Sequence, residues 1–181
     1  NFSPSKPLVY YGDGGAVFTS DDALATKLKQ IRVHGQDRRY HHPLVGINGR
    51  MDSMQAAVLL AKLPLFPEEI QSRQKYAFFY DELLTNKVIT PFVSAECTSV
   101  YAQYTIAVTN RDKLIEQLNA EQIPTAVHYP MPLHRQPAIA QHIGACHMPV
   151  AEAMAKQVLS LPMHPYLKEA EQQKIAKAIM Q

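Results

Sequence analysis

The spacing of apolar side chains divides the 181 residues into short helices and strands separated by long polar stretches. Pro4 and Pro7 bias residues 2–6 toward extended backbone. Gly12, Asp13, Gly14 and Gly15 then form a turn, and Ala16, Val17, Phe18 and Thr19 read as a short buried strand. Leu24, Leu28 and Ile31 lie on one helical stripe, with Ser20, Asp21 and Asp22 ahead of them as candidate caps. Periodicity disappears over 33–49, where histidines, arginines, Gly35, Pro43, Gly46 and Gly49 make a long polar loop. Loops of that length inside a compact domain are usually functional or disordered.

Asp52 opens the next helix, which runs through Ala56, Ala57, Val58, Leu59 and Leu60 until Pro64 and Pro67 interrupt it. A further helix is predicted over 68–84, with Ile70, Ala77, Tyr80 and Leu84 turned inward. Residues 103–109 alternate as a strand, Asn110 can cap a helix carrying Leu114, Ile115 and Leu118, and 125–128 read as a second strand. A loop through Pro130, Pro132 and Pro137 follows. Helices over 150–161 and 168–180 close the chain on either side of Pro162, Met163, His164 and Pro165.

The alternation of strands and helices after residue 100 predicts an α+β domain with a small sheet covered by helices. The segment before the long loop holds one strand and one helix with nothing to pack against. A lone strand is not stable by itself, so this strand is expected to complete a sheet supplied by upstream chain or by another molecule. The opening residues, which lack a methionine and a leader pattern, carry the same expectation of a fragment.

Composition changes this picture little. Hydrophobic residues make up 46% and charged residues 19%, which excludes wholesale disorder. The formal net charge of +2 gives no broad electrostatic footprint for nucleic acid or an anionic membrane. No apolar run approaches the roughly 18 residues of a membrane span. Cys97 and Cys146 lie far apart with no C-x-x-C, which reads as two thiols of a reduced cytoplasmic protein. The eight histidines have none of the spacings that put metal ligands on one face, so no metal is expected.

Three clusters carry candidate chemistry. Lys6 sits between two prolines just ahead of the glycine turn. A lysine held partly out of water is a usable amine for Schiff-base chemistry, while a lysine on a loop is also the commonest surface charge. Ser3 and Lys6 fit the S-x-x-K of penicillin-recognising serine enzymes, but the S-D-N and K-T-G partners of that chemistry are missing. Gly12, Gly14 and Gly15 resemble a phosphate-cradling turn without completing a phosphate-loop motif, and a tight turn into the strand is the plainer reading. In the second cluster, Asn48 can donate a neutral hydrogen bond and Arg50 offers a fork matched to carboxylate or phosphate, while Asp52 reads as a helix cap. In the third, His128 and Tyr129 stand where a strand end runs into a stiff proline loop, either as packed side chains or as a presented pair.

Together the clusters resemble one family. Residues 3–8 running into 12–19 resemble the active-site lysine segment of the DegT/DnrJ/EryC1/StrS aminotransferases. The likeness continues through Arg32-Val33-His34-Gly35, Asn48-x-Arg50-Met51-Asp52 with Gln55-Ala56-Ala57, residues 102–106 and 123–130, and residues 160–167. Residues 33–43 resemble most the branch acting on UDP-2-acetamido-2-deoxy-3-keto-glucuronic acid. That branch makes a diacetamido uronic acid of bacterial surface polysaccharide such as lipopolysaccharide.

The resemblance implies the fold and the roles. The fold class is α/β, as the C-terminal portion of a fold-type-I pyridoxal-phosphate (PLP) transferase. Residues 1–50 are expected to end the large cofactor domain and 51–181 to form a small α+β domain. Lys6 is implied as the Schiff-base lysine, which also moves the proton between substrate and cofactor. Asn1 stands where the family commonly has a serine that donates to the cofactor phosphate. Val9 replaces a common glycine. Asn48 is implied to reach the phosphate of a neighbouring subunit, which makes the protein a homodimer with shared sites. Arg50, His128 and Tyr129 are implied to line the UDP-linked keto-sugar, with L-glutamate as amino donor. The family's ring-stacking and pyridine-pairing residues precede its lysine, so this segment is expected to depend on an upstream half for cofactor binding.

Overall fold

A computed structural model describes residues 1–3 and 5–181. The chain separates into two compact units, Asn1–Pro67 and Glu68–Gln181. The helix opened by Asp52 lies in the first unit.

The first unit holds α1 (Asp22–Ile31) and α2 (Ser53–Lys62). Asp21 caps α1 as expected, its carboxylate accepting from the Ala23 and Leu24 amides at 2.9 and 3.0 Å. Asp52 occupies the cap position of α2 but makes no side-chain capping bond. Neither helix has a buried residue. The expected strand at 16–19 is absent: these residues join no ladder, and Val17 and Phe18 are exposed. A strand needs a partner backbone, and among the described residues this unit offers none there.

The second unit is built on α3 (Phe66–Leu84), which begins at the boundary. It buries Arg73, Ala77, Tyr80 and Leu84 along one stripe, while Ile70 is only half-buried. Proline 67 does not delay the helix, because a first-turn amide has no intrahelical acceptor to lose. β1 (Tyr104–Ala107) lies within the expected 103–109 and leads into α4 (Arg111–Ala120).

The largest departures follow. Residues 125–128 do not form a strand; Ala126 alone bridges to Ser160. After a 3₁₀ turn at Leu133–Arg135, Pro137 starts α5 (Pro137–Ile143) where the loop was expected, a position its fixed φ suits. The helix expected over 150–161 stops early. α6 spans Pro149–Gln157, and the chain then extends into β2 (Val158–Leu161). β2 pairs antiparallel with β1 in the register Tyr104↔Leu161, Thr105↔Ser160, Ile106↔Leu159 and Ala107↔Val158. α7 (Glu169–Ile179) closes the unit, with the Lys168 amide donating to Glu171 at 2.8 Å at its start.

Helices α3, α4 and α7 bury the two-stranded sheet. Tyr80, Tyr104, Ile106, Leu118, Leu159 and Ile175 form its core, and each fully buried aliphatic side chain there contributes about 1.5–3 kcal/mol. Burial raises the Tyr104 phenol, which also donates to Asp81, and it raises the Tyr80 phenol, which donates to the Pro162 carbonyl at 3.1 Å.

Candidate active site

Lys6 is half-buried in the first unit. Its amide donates to the Ser3 carbonyl at 2.9 Å, so the chain folds back here instead of running extended; Pro4, expected to enforce extension, lies outside the described residues. Two further bonds tie the segment down. The Phe2 amide donates to Gly14 at 2.8 Å and the Tyr10 amide to Phe2 at 3.2 Å. Tyr10 is buried against Gly14, where a Cβ would fall 1.4 Å from its hydroxyl oxygen. Tight packing therefore requires the glycine at that position. Gln55 of α2 grips the Tyr11 backbone at both ends, accepting from its amide at 2.9 Å and donating to its carbonyl at 3.2 Å.

The Asn1 side-chain oxygen Oδ1 accepts from the Ser3 backbone amide at 2.8 Å, which leaves the side-chain nitrogen Nδ2 as a donor. Asn48 and Arg50 are exposed at the end of the long loop. The loop's neck is built from the Val33↔Asn48 bridge, the Ile47 amide donating to Ile31 at 2.8 Å and the Gly49 amide donating to Arg32 at 2.8 Å. Its tip is a second small bridge, Arg38↔His41, where the His41 ring meets Asp37 at 2.7 Å and holds that carboxyl below its ordinary range.

In the second unit His128 is half-buried and Tyr129 exposed, their rings edge to face at 5.5 Å. His128 Nδ1 lies 2.9 Å from the Ser160 hydroxyl, which lies 2.8 Å from that of Thr105. His128 and Ser160 border an open groove of about 240 Å³ that Gln103, Thr125 and Met163 also line. Sequence reasoning missed Ser160 and Thr105. Their signal is the cross-strand register, invisible while residues 158–161 read as helix.

The six expected site residues thus fall into two sets. Asn1, Lys6, Asn48 and Arg50 belong to the first unit, and His128 and Tyr129 to the second. The first set fits an anionic carbonyl cofactor. It offers one amine, two amide donors and a guanidinium, and among the described residues no carboxylate pairs with Lys6 or Arg50. No group of three or more potential metal ligands occurs among the described residues, and no described helix is long and apolar enough to cross a membrane.

The chain belongs to the DegT/DnrJ/EryC1/StrS aminotransferase family, whose pattern matches residues 1–180. Pyridoxal phosphate is the cofactor of that family. The chain is 54% identical over 180 residues to a UDP-2-acetamido-2-deoxy-3-oxo-D-glucuronate aminotransferase of Pseudomonas aeruginosa, covering 99% of this chain and 50% of the relative. Its fold matches S. venezuelae DesV, solved with a ketimine intermediate, at a TM-score of 0.94 and 36% identity, covering 99% of this chain and 49% of that one. NtdA from Bacillus subtilis, solved with bound cofactor PMP, matches at 0.87 and 26% identity, covering 99% and 45%. The chain therefore spans about half the length of the relatives it matches, and its architecture is that of the C-terminal portion of their fold.

Proposed function

We propose that the chain supplies the lysine and the substrate loops of a PLP-dependent aminotransferase that aminates a nucleotide-linked 3-keto sugar. The observation that carries this reading is Lys6. It is a half-buried lysine without an acidic partner among the described residues, in a chain 54% identical to an enzyme named for a 3-oxo-glucuronate substrate. The acceptor proposed is UDP-2-acetamido-2-deoxy-3-keto-glucuronic acid and the donor L-glutamate. The setting proposed is cytoplasmic synthesis of bacterial surface polysaccharide.

In this reading Lys6 Nζ holds the cofactor and, once released, carries a proton at the substrate carbon. Asn1 and Asn48 donate to the cofactor phosphate, Asn48 from across the interface of a homodimer with shared active sites. The Arg50 fork meets the uronate carboxylate, and His128 and Tyr129 line the sugar. The cofactor, when bound, supplies the electron sink.

Borohydride reduction of the complete, cofactor-loaded protein tests the reading. The reduced cofactor is expected on the peptide that holds Lys6, and Lys6→Ala is expected to abolish both the label and amination of the keto-uronate. A label on another lysine would overturn the assignment.

A further inference from the structure

We propose that Ser160 is a positioning residue for the sugar site. On this view its hydroxyl, backed by Thr105, fixes the ring of His128 so that Nε2 is the nitrogen offered to substrate. The inference rests on the reading of His128 as a sugar-lining residue.

Ser160 is 4% exposed at the centre of β2. Both of its backbone groups face the Ala126 side, and toward β1 it stands opposite Thr105 as a non-hydrogen-bonded pair, which brings the two side chains close. Its amide donates to the Ala126 carbonyl at 2.7 Å and its own carbonyl accepts from the Ala126 amide at 3.2 Å. The segment leading to His128 is therefore fastened to β2 two residues before the histidine, and Ser160 is the residue that fastens it. The same residue then reaches the histidine itself, Oγ to Nδ1, at 2.9 Å.

A buried serine hydroxyl must place its single proton well, and here it has two neighbours. With Thr105 donating to Ser160 and Ser160 donating to Nδ1, His128 presents Nε2–H as a donor. With Nδ1–H donating to Ser160 and Ser160 donating to Thr105, Nε2 presents a lone pair, or a proton when the ring is charged. In every arrangement Nδ1 is occupied and Nε2 is the ring nitrogen left for a ligand. The Thr105 hydroxyl, 2.8 Å from Ser160, can serve it as donor or as acceptor, so the chain of protons can run in either direction. An alanine at 160 would keep the backbone pairing and lose the ring's only side-chain hydrogen bond among the described residues.

The test uses the complete protein with reconstituted PLP. Ser160→Ala is expected to raise the KM for the keto-sugar nucleotide about tenfold, the scale of one lost positioning hydrogen bond, while kcat changes less than about twofold. Ser160→Thr, which keeps the hydroxyl, is expected to recover most of the loss. In a His128→Ala background Ser160→Ala is expected to add nothing, since the group it positions is gone. Independently of activity, ¹⁵N signals of the His128 ring in labelled protein are expected to move at Nδ1 on Ser160→Ala.

Unchanged Nδ1 signals, a KM within twofold of the parent, or additive losses in the double variant would each overturn the proposal. Should the parent aminate no sugar nucleotide, the proposed function fails, and the nitrogen signals still decide whether Ser160 holds the ring. Should His128→Ala bind sugar normally, the role of His128 fails with the proposal.

Discussion

Gly46 backs directly onto Gly35: a Cβ at position 46 would lie 2.1 Å from the Gly35 nitrogen and 2.5 Å from the Ile31 carbonyl oxygen. Gly35 is buried with a φ of 73°, and a Cβ there would sit 1.8 Å from the Leu44 oxygen. The neck of the long loop is thus a backbone-on-backbone contact that admits no side chain, and Asn48 and Arg50 emerge directly from it.

Gly46→Ala is expected to open this neck. The obstructing atoms are backbone, so relief requires moving the chain, and a cost of about 2 kcal/mol or more is expected. Native-state hydrogen exchange should show it locally, with the Ile47 and Gly49 amides losing protection by more than about tenfold. Gly144→Ala provides the contrast. Its φ of 68° and ψ of −162° are a conformation nearly confined to glycine, but nothing lies within 4 Å of its Cβ, so only conformational strain of about 1–3 kcal/mol is expected.

Arg73 is the buried cation of α3. It donates to the Tyr101 and Met163 carbonyls at 3.0 and 3.2 Å, and burial lowers its guanidinium from the ordinary value, partly offset by Glu69. Arg73→Ala leaves both carbonyls without this donor, and unfolding in urea should show a loss of about 2–4 kcal/mol. Both bonds leave from Nη1 alone, so one nitrogen suffices as donor; Arg73→Lys is expected to recover only part because an ammonium is more strongly hydrated than a guanidinium and has to be brought to the place of Nη1.

Glu152 gathers the start of α6. It meets His134 and Arg135 at 2.9 Å each and accepts from the Met148 amide at 3.2 Å; the His134 bond is the main cause holding its carboxyl down to about 2 from an ordinary 4.5. A carboxyl lowered by folding stabilises the native state above its unfolded value, and that contribution is lost as pH falls from about 4.5 toward 2. Glu152→Gln is expected to lower the denaturation midpoint at neutral pH and to flatten its fall across that acid window.

Which parts of the fold were legible follows from the range of the interactions that make them. Asp21 caps α1 and Ala77, Tyr80 and Leu84 line α3 as expected, since caps and stripes are local relations within a few residues. Val158, Leu159 and Leu161 continue an apolar helical run equally well as they form a strand. The choice is made by Tyr104, Ile106 and the other residues of β1, more than 50 positions earlier. Non-local pairing also decides 125–128, which is reduced to the Ala126 bridge, and 16–19, which has no partner strand among the described residues. Among the candidate site residues, Lys6, Asn48 and Arg50 stood out because glycines and prolines mark their loops. Ser160 did not, because a serine in an apolar run shows its purpose only once the partner strand sets Thr105 beside it.

Arg50 gives the sharpest test of substrate class. It is exposed, and among the described residues no carboxylate pairs with its guanidinium, so its removal should cost the fold less than about 0.5 kcal/mol. A bidentate guanidinium–carboxylate contact contributes about 1.5–3 kcal/mol, which corresponds to a factor of roughly 10 to 150 in affinity. In the complete protein, Arg50→Ala is therefore expected to raise the KM for the 3-keto-glucuronate nucleotide by at least tenfold. The KM for the analogue with a hydroxymethyl group in place of the carboxylate should change less than about threefold. Arg50→Lys should fall between, keeping the charge and losing the fork. Steady-state kinetics with both nucleotides check this directly. Equal losses on the two substrates would show that Arg50 meets a feature they share, such as the diphosphate, and would remove the argument for a uronate.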